Sequence, residues 1–186
     1  MGGGPDKETL LFIFQEDEQK QVTDKLRKSF PYIDVIYHKL GKPQAGKTMG
    51  GISYSFDPVP EDLWAKATIL VTLGTLPPDP KLAPNLRYIH LLSAGVDHFL
   101  NHPMFKDTDI PITTVSGIHG PPIAEWVLMT TLNLTKNYGI MYENQKKKKW
   151  DNKAPGLMKR GDWHGKVVGI CGYGSIGRQG RNSFIM

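Results

Sequence analysis

The sequence predicts an α/β fold in which helices cover both faces of a parallel sheet, a doubly wound arrangement. Two observations predict it. Short apolar runs alternate along the chain with charged segments of helical spacing, the order expected of repeated strand and helix units. The run at residues 68–73 is almost continuously apolar, which is typical of a parallel strand covered on both faces. The spacing of the runs also leaves room for the crossovers of about a dozen residues that parallel neighbours need.

The alternation begins at residue 9 and continues to residue 115. The first strand is predicted at residues 9–14. The charged segment at 17–30 predicts a helix, because Val22, Leu26 and Phe30 are spaced four apart on one face. Further strands are predicted at 32–37, 68–73, 86–92 and 112–115, and a Gly/Pro/Lys-rich loop at 41–51. A short helix is predicted from Pro60 to Trp64, with Glu61 and Asp62 in its first turn.

A second segment follows the last of these strands, after about residue 116. Pro121 and Pro122 stand where a helix begins, and residues 123–147 predict one long helix whose length suggests an interdomain or interface role. The last two elements are a Gly/Pro/charged linker at 151–161 and a final strand at 166–171.

A glycine-rich turn follows that final strand directly. Its pattern, G-x-G-x-x-G after an apolar strand, is one that binds dinucleotides: the first glycine permits a tight turn, the second lets a pyrophosphate approach the backbone, and the third permits close helix packing. The alternative is a turn that only links a strand to a helix. Beyond it, the inward helical positions are Gln179, Gly180 and Ser183 rather than apolar residues. The candidate cofactor-binding residues are Gly172, Tyr173, Gly174, Ser175, Ile176 and Gly177.

Three blocks of the chain resemble successive signatures of one family. They are LLSAGVDHFL at residues 91–100, VSGIHGPPIAEWVL at 115–128 and GKVVGICGYGSIG at 165–177. In their order and spacing these blocks resemble the D-isomer-specific 2-hydroxyacid dehydrogenases. The resemblance implies a flavodoxin-like substrate-binding domain at residues 8–118, followed by the N-terminal fragment of an NAD(P)-binding Rossmann domain at 119–186.

The resemblance also implies a substrate site. In the family, the residues that match Ala94, Gly95 and Val96 bind the substrate carboxylate through backbone N–H groups. A glycine lets an anion approach adjacent amides closely, so this chemistry is reasonable. The alternative is a strand-end turn, with Asp97 as the N-cap of the next short helix.

Two further residues lie within the second of these blocks. Glu125 resembles the glutamate at the start of the family's interdomain helix, but an acid in a first helical turn ordinarily compensates the helix dipole. His119 lies near the hinge that we expect between the two domains. A lone histidine with no carboxylate partner at a defined spacing is interpreted as structural. No catalytic residue is therefore assigned.

The resemblance implies an activity and a cofactor. Family members are oxidoreductases that transfer hydride between NAD or NADP and a 2-hydroxy or 2-oxo acid. They use an arginine, a histidine and a glutamate that lie well beyond the glycine turn, and none of the six histidines of this chain falls in the matching position. We therefore expect a truncated enzyme without useful turnover alone, since loss of acid–base catalysis costs ~10² to 10⁴ in rate.

Two other interpretations stay open. The helix at residues 123–147 matches a segment through which family members dimerise, so the chain is alternatively a non-catalytic interaction or regulatory protein that pairs with a full-length relative or with itself. A cofactor-sensing regulator is the other interpretation. Co-purification tests the first of these, and titration with NADH tests the second.

Composition limits the remaining classes of function. Much of the net charge of +5 comes from the four lysines at 146–149, which suit a helix C-terminus, and no nucleic-acid motif accompanies them. No apolar run approaches the roughly 20 residues that cross a bilayer. The single cysteine, Cys171, excludes an internal disulfide and a thiolate metal site. We expect a cytoplasmic protein with no metal, no nucleic-acid partner and no membrane association.

Overall fold

The chain divides into two compact units, an N-terminal unit (Met1–Ser116) and a C-terminal unit (Gly117–Met186). The functional domains expected at 8–118 and 119–186 remain a prediction. No described helix is both long and apolar enough to span a membrane. A computed structural model describes residues 7–41, 44–49, 52–55, 58–151 and 162–184, so that most of the predicted linker, residues 152–161, lies outside the described residues.

A parallel sheet forms the centre of the N-terminal unit. Its elements in chain order are β1 (Glu8–Phe14), α1 (Lys20–Ser29), β2 (Ile33–Lys39), β3 (Gln44–Met49), β4 (Ile52–Ser55), α2 (Glu61–Lys66), β5 (Ile69–Thr72), a 3-10 helix (Pro80–Leu82), β6 (Tyr88–Leu91), a second 3-10 helix (Asp97–Phe99), α3 (Pro103–Lys106) and β7 (Ile112–Thr114). Five strands pair in parallel in the order β2-β1-β5-β6-β7, which confirms the predicted fold class. When the separate β3–β4 pair is left out and the five sheet strands are numbered in chain order, the order is 2-1-3-4-5, which is the flavodoxin-like order.

One face of the sheet carries the main buried cluster, and Leu10 and Val35 are buried on the other face. Leu11, Leu70 and Ile89 are neighbours across β1, β5 and β6, and all three are fully buried. Residues two apart on a strand share a face, so Ile13 and Leu91 extend the same layer. Helical and loop residues of this cluster include Trp64, Phe99 and Met104. The apolar runs form strands because each one buries alternate side chains in this layer.

The structure corrects part of the prediction of a loop at 41–51, because residues 44–49 form a strand, whereas residues 42, 43, 50 and 51 lie outside the described residues. β3 and β4 pair in antiparallel orientation there, with Gln44 opposite Ser55 and Met49 opposite Ile52. Composition favoured a loop because Gly, Pro and Lys are depleted in strands. Two segments that are close in sequence pair at a low entropic cost of loop closure, and this pairing is a property of neither segment alone.

The inward face of α1 differs from the one that its apolar spacing indicated. Thr23 is buried and Leu26 is half-buried, whereas Val22 is 53% exposed. The Arg27 guanidinium on the same helix donates to the Val35 carbonyl of β2 at 3.1 Å and to Thr23 Oγ1 at 3.3 Å. Hydrogen bonds to the sheet therefore help to decide which side of this charged helix faces inward.

The described part of the C-terminal unit contains α4 (Gly120–Thr135), α5 (Tyr138–Lys146) and α6 (Ser175–Phe184). The prediction of one helix over residues 123–147 is wrong. α4 ends at Thr135, where the Lys136 N–H donates to the Leu132 carbonyl, and Asn137 has a left-handed φ of 56°. Asparagine is one of the few residues other than glycine that readily adopts this conformation after a helix, and it separates α4 from α5.

Residues 166–171 do not form the strand that their apolar pattern predicts. They have no strand pairing within the described part of the chain, and Val167 is 96% exposed. An extended segment becomes a strand only when a neighbour completes its ladder of hydrogen bonds. The described residues of the C-terminal unit supply no such neighbour.

α4 and α6 pack through small and polar residues. Gly120 and Ala124 are buried on α4, and a Cβ built at Gly120 would lie 3.5 Å from the Cβ of Gln179 on α6. Gln179 and Ser183 are half-buried, as the sequence indicated; Gly180 is half-buried too, but nothing lies within 4 Å of a Cβ built there, so it takes no part in this packing. Short side chains let the two helix backbones approach closely.

His102 makes the start of α3 sensitive to pH. Its Nδ1 accepts a hydrogen bond from the Met104 N–H at 3.2 Å, and burial lowers the pKa of the imidazole below its usual 6.5. As the pH falls, the unfolded chain therefore takes up the proton before the folded chain does. The stability that depends on the neutral imidazole is complete above pH ~6.5 and is lost as the pH falls toward the folded-state pKa. We expect His102→Asn, which keeps a capping oxygen, to reduce the loss of thermal stability between about pH 7.5 and 5. An unchanged pH profile would contradict this.

Candidate functional site

The loop at residues 93–96 leaves the sheet at the carboxyl end of β6. Ligands of parallel α/β sheets bind at this end of the strands. Among the described residues, the amide nitrogens of Ala94, Gly95 and Val96 have no hydrogen-bond acceptor. Ala94 and Gly95 are exposed and Val96 is half-buried, so the loop that carries these N–H groups lies at the surface.

The carbonyl oxygens of the same loop are paired. The Ser93 carbonyl accepts a hydrogen bond from the Val115 N–H at 3.2 Å, and the Ala94 carbonyl accepts one from Ser116 Oγ at 3.0 Å. The Gly95 carbonyl accepts one from Ser93 Oγ at 2.8 Å. The loop thus combines occupied acceptors with unoccupied donors, and unpaired donors are one property that an anion site needs.

In the neighbouring loop after β5, by contrast, backbone N–H groups are paired within the protein. The Oγ1 of Thr72, which is buried, accepts hydrogen bonds from the N–H groups of Gly74 and Thr75 at 3.2 and 3.0 Å. These two amides are therefore occupied by the protein itself. The contrast points to the loop after β6 as the candidate site.

A carboxylate lies beside the candidate site. A Cβ built at Gly95 would lie 3.3 Å from Asp97 Oδ2. The expectation that Asp97 caps the next helix is wrong, because Val96 is the N-cap and no side chain makes a capping hydrogen bond. The Asp97 charge opposes the binding of an anion to the loop.

The glycine turn leads directly into α6. Gly172 has a φ of +93°, which favours glycine. A Cβ built at Gly177 would collide with the Gly172 carbonyl oxygen and would lie 3.3 Å from Cγ2 of Ile170. The backbone therefore requires the first and third glycines of the pattern, because any larger residue at either position meets strain or a clash.

The start of α6 presents backbone donors beside this turn. The helix begins at Ser175, and the Arg178 N–H donates to the Gly174 carbonyl at 3.0 Å to close its first turn. The amides of Ser175, Ile176 and Gly177 precede that bond and have no acceptor within the helix, as at any helix N-terminus. Donors beside a turn that excludes side chains fit the pyrophosphate of a dinucleotide.

The structure changes the interpretation of Glu125 and leaves His119 near the boundary between the two units, where the sequence indicated it. Glu125 is exposed and is not in the first turn of α4, so the interpretation of Glu125 as dipole compensation there is wrong. The reason is that α4 begins at Gly120, before the predicted start. His119 is the exposed residue before α4, and its side chain does not cap the helix. No group of three or more His, Cys, Asp or Glu suited to a metal occurs among the described residues.

Sequence reasoning missed the two serine hydroxyls that bind the loop carbonyls. Ser93 and Ser116 are far apart in sequence, and the parallel pairing of β6 with β7 brings them to one edge of the sheet. Their positions carried a signal, because each serine closely follows a predicted strand. Carboxyl ends of neighbouring parallel strands meet at the same edge.

Solved structures share this architecture. A D-isomer-specific 2-hydroxyacid dehydrogenase from Xanthobacter autotrophicus Py2, in complex with NADPH and MES, matches with a TM-score of 0.59 and 20% identity over 96% of this chain and 50% of that one. A phosphoglycerate oxidoreductase from Rhizobium etli matches with a TM-score of 0.61 and 16% identity over 94% of this chain and 52% of that one. The chain has the fold of the D-isomer-specific 2-hydroxyacid dehydrogenases.

This dehydrogenase fold confirms the resemblance seen in the three sequence blocks. The chain spans about half the length of the solved dehydrogenases that it matches. A curated formate dehydrogenase of Neurospora crassa is 34% identical over 98 residues, which is 52% of this chain and 26% of that protein. No protein-family model matches the chain.

Proposed function

We propose that this chain is the substrate-binding part, and the opening of the NAD(P)-binding part, of an oxidoreductase that acts on 2-hydroxy and 2-oxo acids. The observation that carries the proposal is the set of unpaired amides at Ala94, Gly95 and Val96 within the described chain. Successive backbone N–H groups bind carboxylates, and a small 2-oxo acid offers one. The similarity to a formate dehydrogenase over 98 residues supports a substrate that carries a carboxylate.

The proposal assigns NAD or NADP to the glycine turn. Gly172 makes the tight turn, Gly174 lets the pyrophosphate approach the backbone, and Gly177 lets α6 start against the turn. The amides at the start of α6 hold the phosphate charge. When bound, the nicotinamide would supply or accept a hydride.

We propose that the chain alone does not turn over a 2-oxo acid. By resemblance, the reaction needs an arginine, an acid–base histidine and a glutamate, and none of the six histidines of the chain matches that histidine. Loss of acid–base catalysis costs ~10² to 10⁴ in rate. The test mixes purified protein with glyoxylate and NADPH. Consumption of NADPH at an ordinary enzymatic rate would disprove this part of the proposal.

Titration with formate tests the carboxylate site. We expect formate to shift the amide NMR signals of Ala94, Gly95 and Val96. Asp97→Asn removes the negative charge beside Gly95, so we expect it to bind formate up to about fivefold more tightly, which corresponds to ~1 kcal/mol between unit charges about 4 Å apart in water. Neutral formamide is the control ligand. Amides that respond to neither ligand, or equally to both, contradict the assignment.

A second candidate function, non-catalytic pairing of two related chains, is favoured by the surface of α4 and α5. Trp126 is 61% exposed and Leu134 is 72% exposed within the described structure, and Met129 and Tyr138 are also exposed. Aromatic residues and methionine are enriched at protein interfaces. Light scattering measures the mass of the wild type and of Trp126→Lys. A dimer that the variant dissociates supports pairing, whereas a monomeric wild type that also fails to co-purify with a full-length dehydrogenase excludes it.

We propose that this chain has no nucleic-acid partner. Lys146 pairs with Glu143 at 2.5 Å, and Lys149 pairs with Asp151 at 2.9 Å. These carboxylates offset part of the charge of the lysine run. A mobility-shift assay at physiological salt is expected to show no complex with duplex DNA.

We also propose the cytoplasm as the compartment of this chain. Cys171 is a free, exposed thiol, and a reducing compartment preserves such a group. Cell fractionation tests the assignment, and recovery of the protein from the secreted fraction would reverse it.

A further inference from the structure

Ser116 and Ser93 hold the carbonyls of the candidate carboxylate loop. Ser116 Oγ donates to the Ala94 carbonyl at 3.0 Å and lies 2.9 Å from Thr114 Oγ1. Ser93 Oγ donates to the Gly95 carbonyl at 2.8 Å. A serine hydroxyl carries one proton, so Ser116 gives its proton to Ala94, and Thr114 is the donor in the remaining bond.

These bonds act on the amides through the peptide planes. In a trans peptide, the carbonyl of one residue and the N–H of the next lie in one plane and point in opposite directions. The described chain has no cis peptide bond. The bond to the Ala94 carbonyl therefore directs the Gly95 N–H away from Ser116. In the same way, the bond to the Gly95 carbonyl sets the direction of the Val96 N–H.

A main-chain hydrogen bond completes the set. The Val115 N–H donates to the Ser93 carbonyl at 3.2 Å, just beyond the ends of β6 and β7, and so directs the Ala94 N–H. Three successive carbonyls are thus held, and with them the three amides that have no acceptor in the described chain. Donors that are oriented before a ligand arrives lose less conformational freedom when it binds.

We propose that Ser116 and Ser93 are positioning residues for carboxylate recognition, with Ser116 orienting the Gly95 amide and Ser93 orienting the Val96 amide. The role rests on the proposed function of this loop as a carboxylate site. Neither hydroxyl needs to touch the ligand, because each one acts through a carbonyl.

Alanine variants test the two roles separately. In Ser116→Ala, we expect the formate-induced shift of the Gly95 amide to decrease most, and in Ser93→Ala that of the Val96 amide. Each variant is expected to bind formate about three- to tenfold more weakly, the size of one net hydrogen bond. Without formate, the carbonyl ¹³C signals of Ala94 and Gly95 report the loss of each bond directly.

Two further variants separate positioning from general damage to the fold. Ser116→Thr keeps a hydroxyl and is expected to restore the wild-type affinity for formate. Thr114→Val removes a hydroxyl from the same cluster but leaves the bond from Ser116 to Ala94, so its affinity is expected to match the wild type. A purely structural effect would not follow this order.

The outcomes distinguish the positioning role from the site itself. Wild-type formate affinity in both alanine variants, with the loop amides still responding, overturns the positioning role and leaves the carboxylate site in place. Weaker binding without selectivity between Gly95 and Val96 also overturns it. No response of these amides in the wild-type protein overturns the carboxylate site and the positioning role together.

Discussion

Gly177→Ala is expected to open the glycine turn and to weaken binding of NADH or NADPH by about tenfold or more. The added Cβ would collide with the Gly172 carbonyl and crowd Ile170, so the turn and the first residues of α6 would have to separate. Overpacking of this kind costs roughly 1–3 kcal/mol. The amides of Ser175 and Ile176 move with the helix and lose their alignment toward the phosphates. Calorimetric titration measures the affinity, and thermal unfolding measures the stability.

Gly180→Ala is the matched control, because the same change in the same helix has the opposite expected result. Nothing lies within 4 Å of a Cβ built at Gly180. Alanine is more favourable than glycine in a helix interior by roughly 1 kcal/mol, so α6 gains stability and cofactor binding is unchanged. If both variants lose stability to the same extent, the steric role assigned to Gly177 is wrong.

Leu70→Ala is expected to lower the free energy of unfolding by about 2–5 kcal/mol. Leu70 is fully buried on the middle strand of the sheet, between Leu11 on β1 and Ile89 on β6. Truncation leaves a cavity that the flanking strands cannot fill without breaking their register. The loss is large beside a total stability of about 5–15 kcal/mol. Urea-induced unfolding gives the value.

Val71→Ala on the same strand supplies the comparison for Leu70→Ala. Val71 is the next residue along β5, so its side chain faces the other side of the sheet, where it is half-buried. Fewer buried methyl groups are lost, and a cost of about 1 kcal/mol or less is expected. Equal losses at the two positions would show that the main buried cluster does not lie on one face as described.

Several elements were predictable because their chemistry is local. The apolar runs at residues 9–14 and 68–73 coincide with β1 and β5 to within a residue or so at each end. Pro121 and Pro122 lie in the first turn of α4. The glycine pattern predicted which backbone positions exclude a side chain, and Gly177 excludes one because of its contact with Gly172.

The wrong predictions concern properties that depend on partners or on one backbone angle. Residues 166–171 have the composition of a strand, but the described chain provides no strand to pair with them. β3 and β4 have the composition of a loop and pair with each other. Between α4 and α5, helical spacing continues through a position where the backbone of Asn137 turns left-handed. The periodicity of apolar residues indicates which side chains prefer burial. It does not indicate which strands pair or where a helix is interrupted.

By itself, the amino-acid sequence determined the α/β class, the positions of the five sheet strands and the location of the glycine turn, because each depends on residues within a few positions of one another. Only the tertiary structure decided how the loop at 93–96 is held. Val115 and Ser116 meet that loop because β7 pairs with β6 in parallel register. Sheet pairing brings distant residues to one edge, and hydrogen bonds made there orient donors that no local pattern reveals.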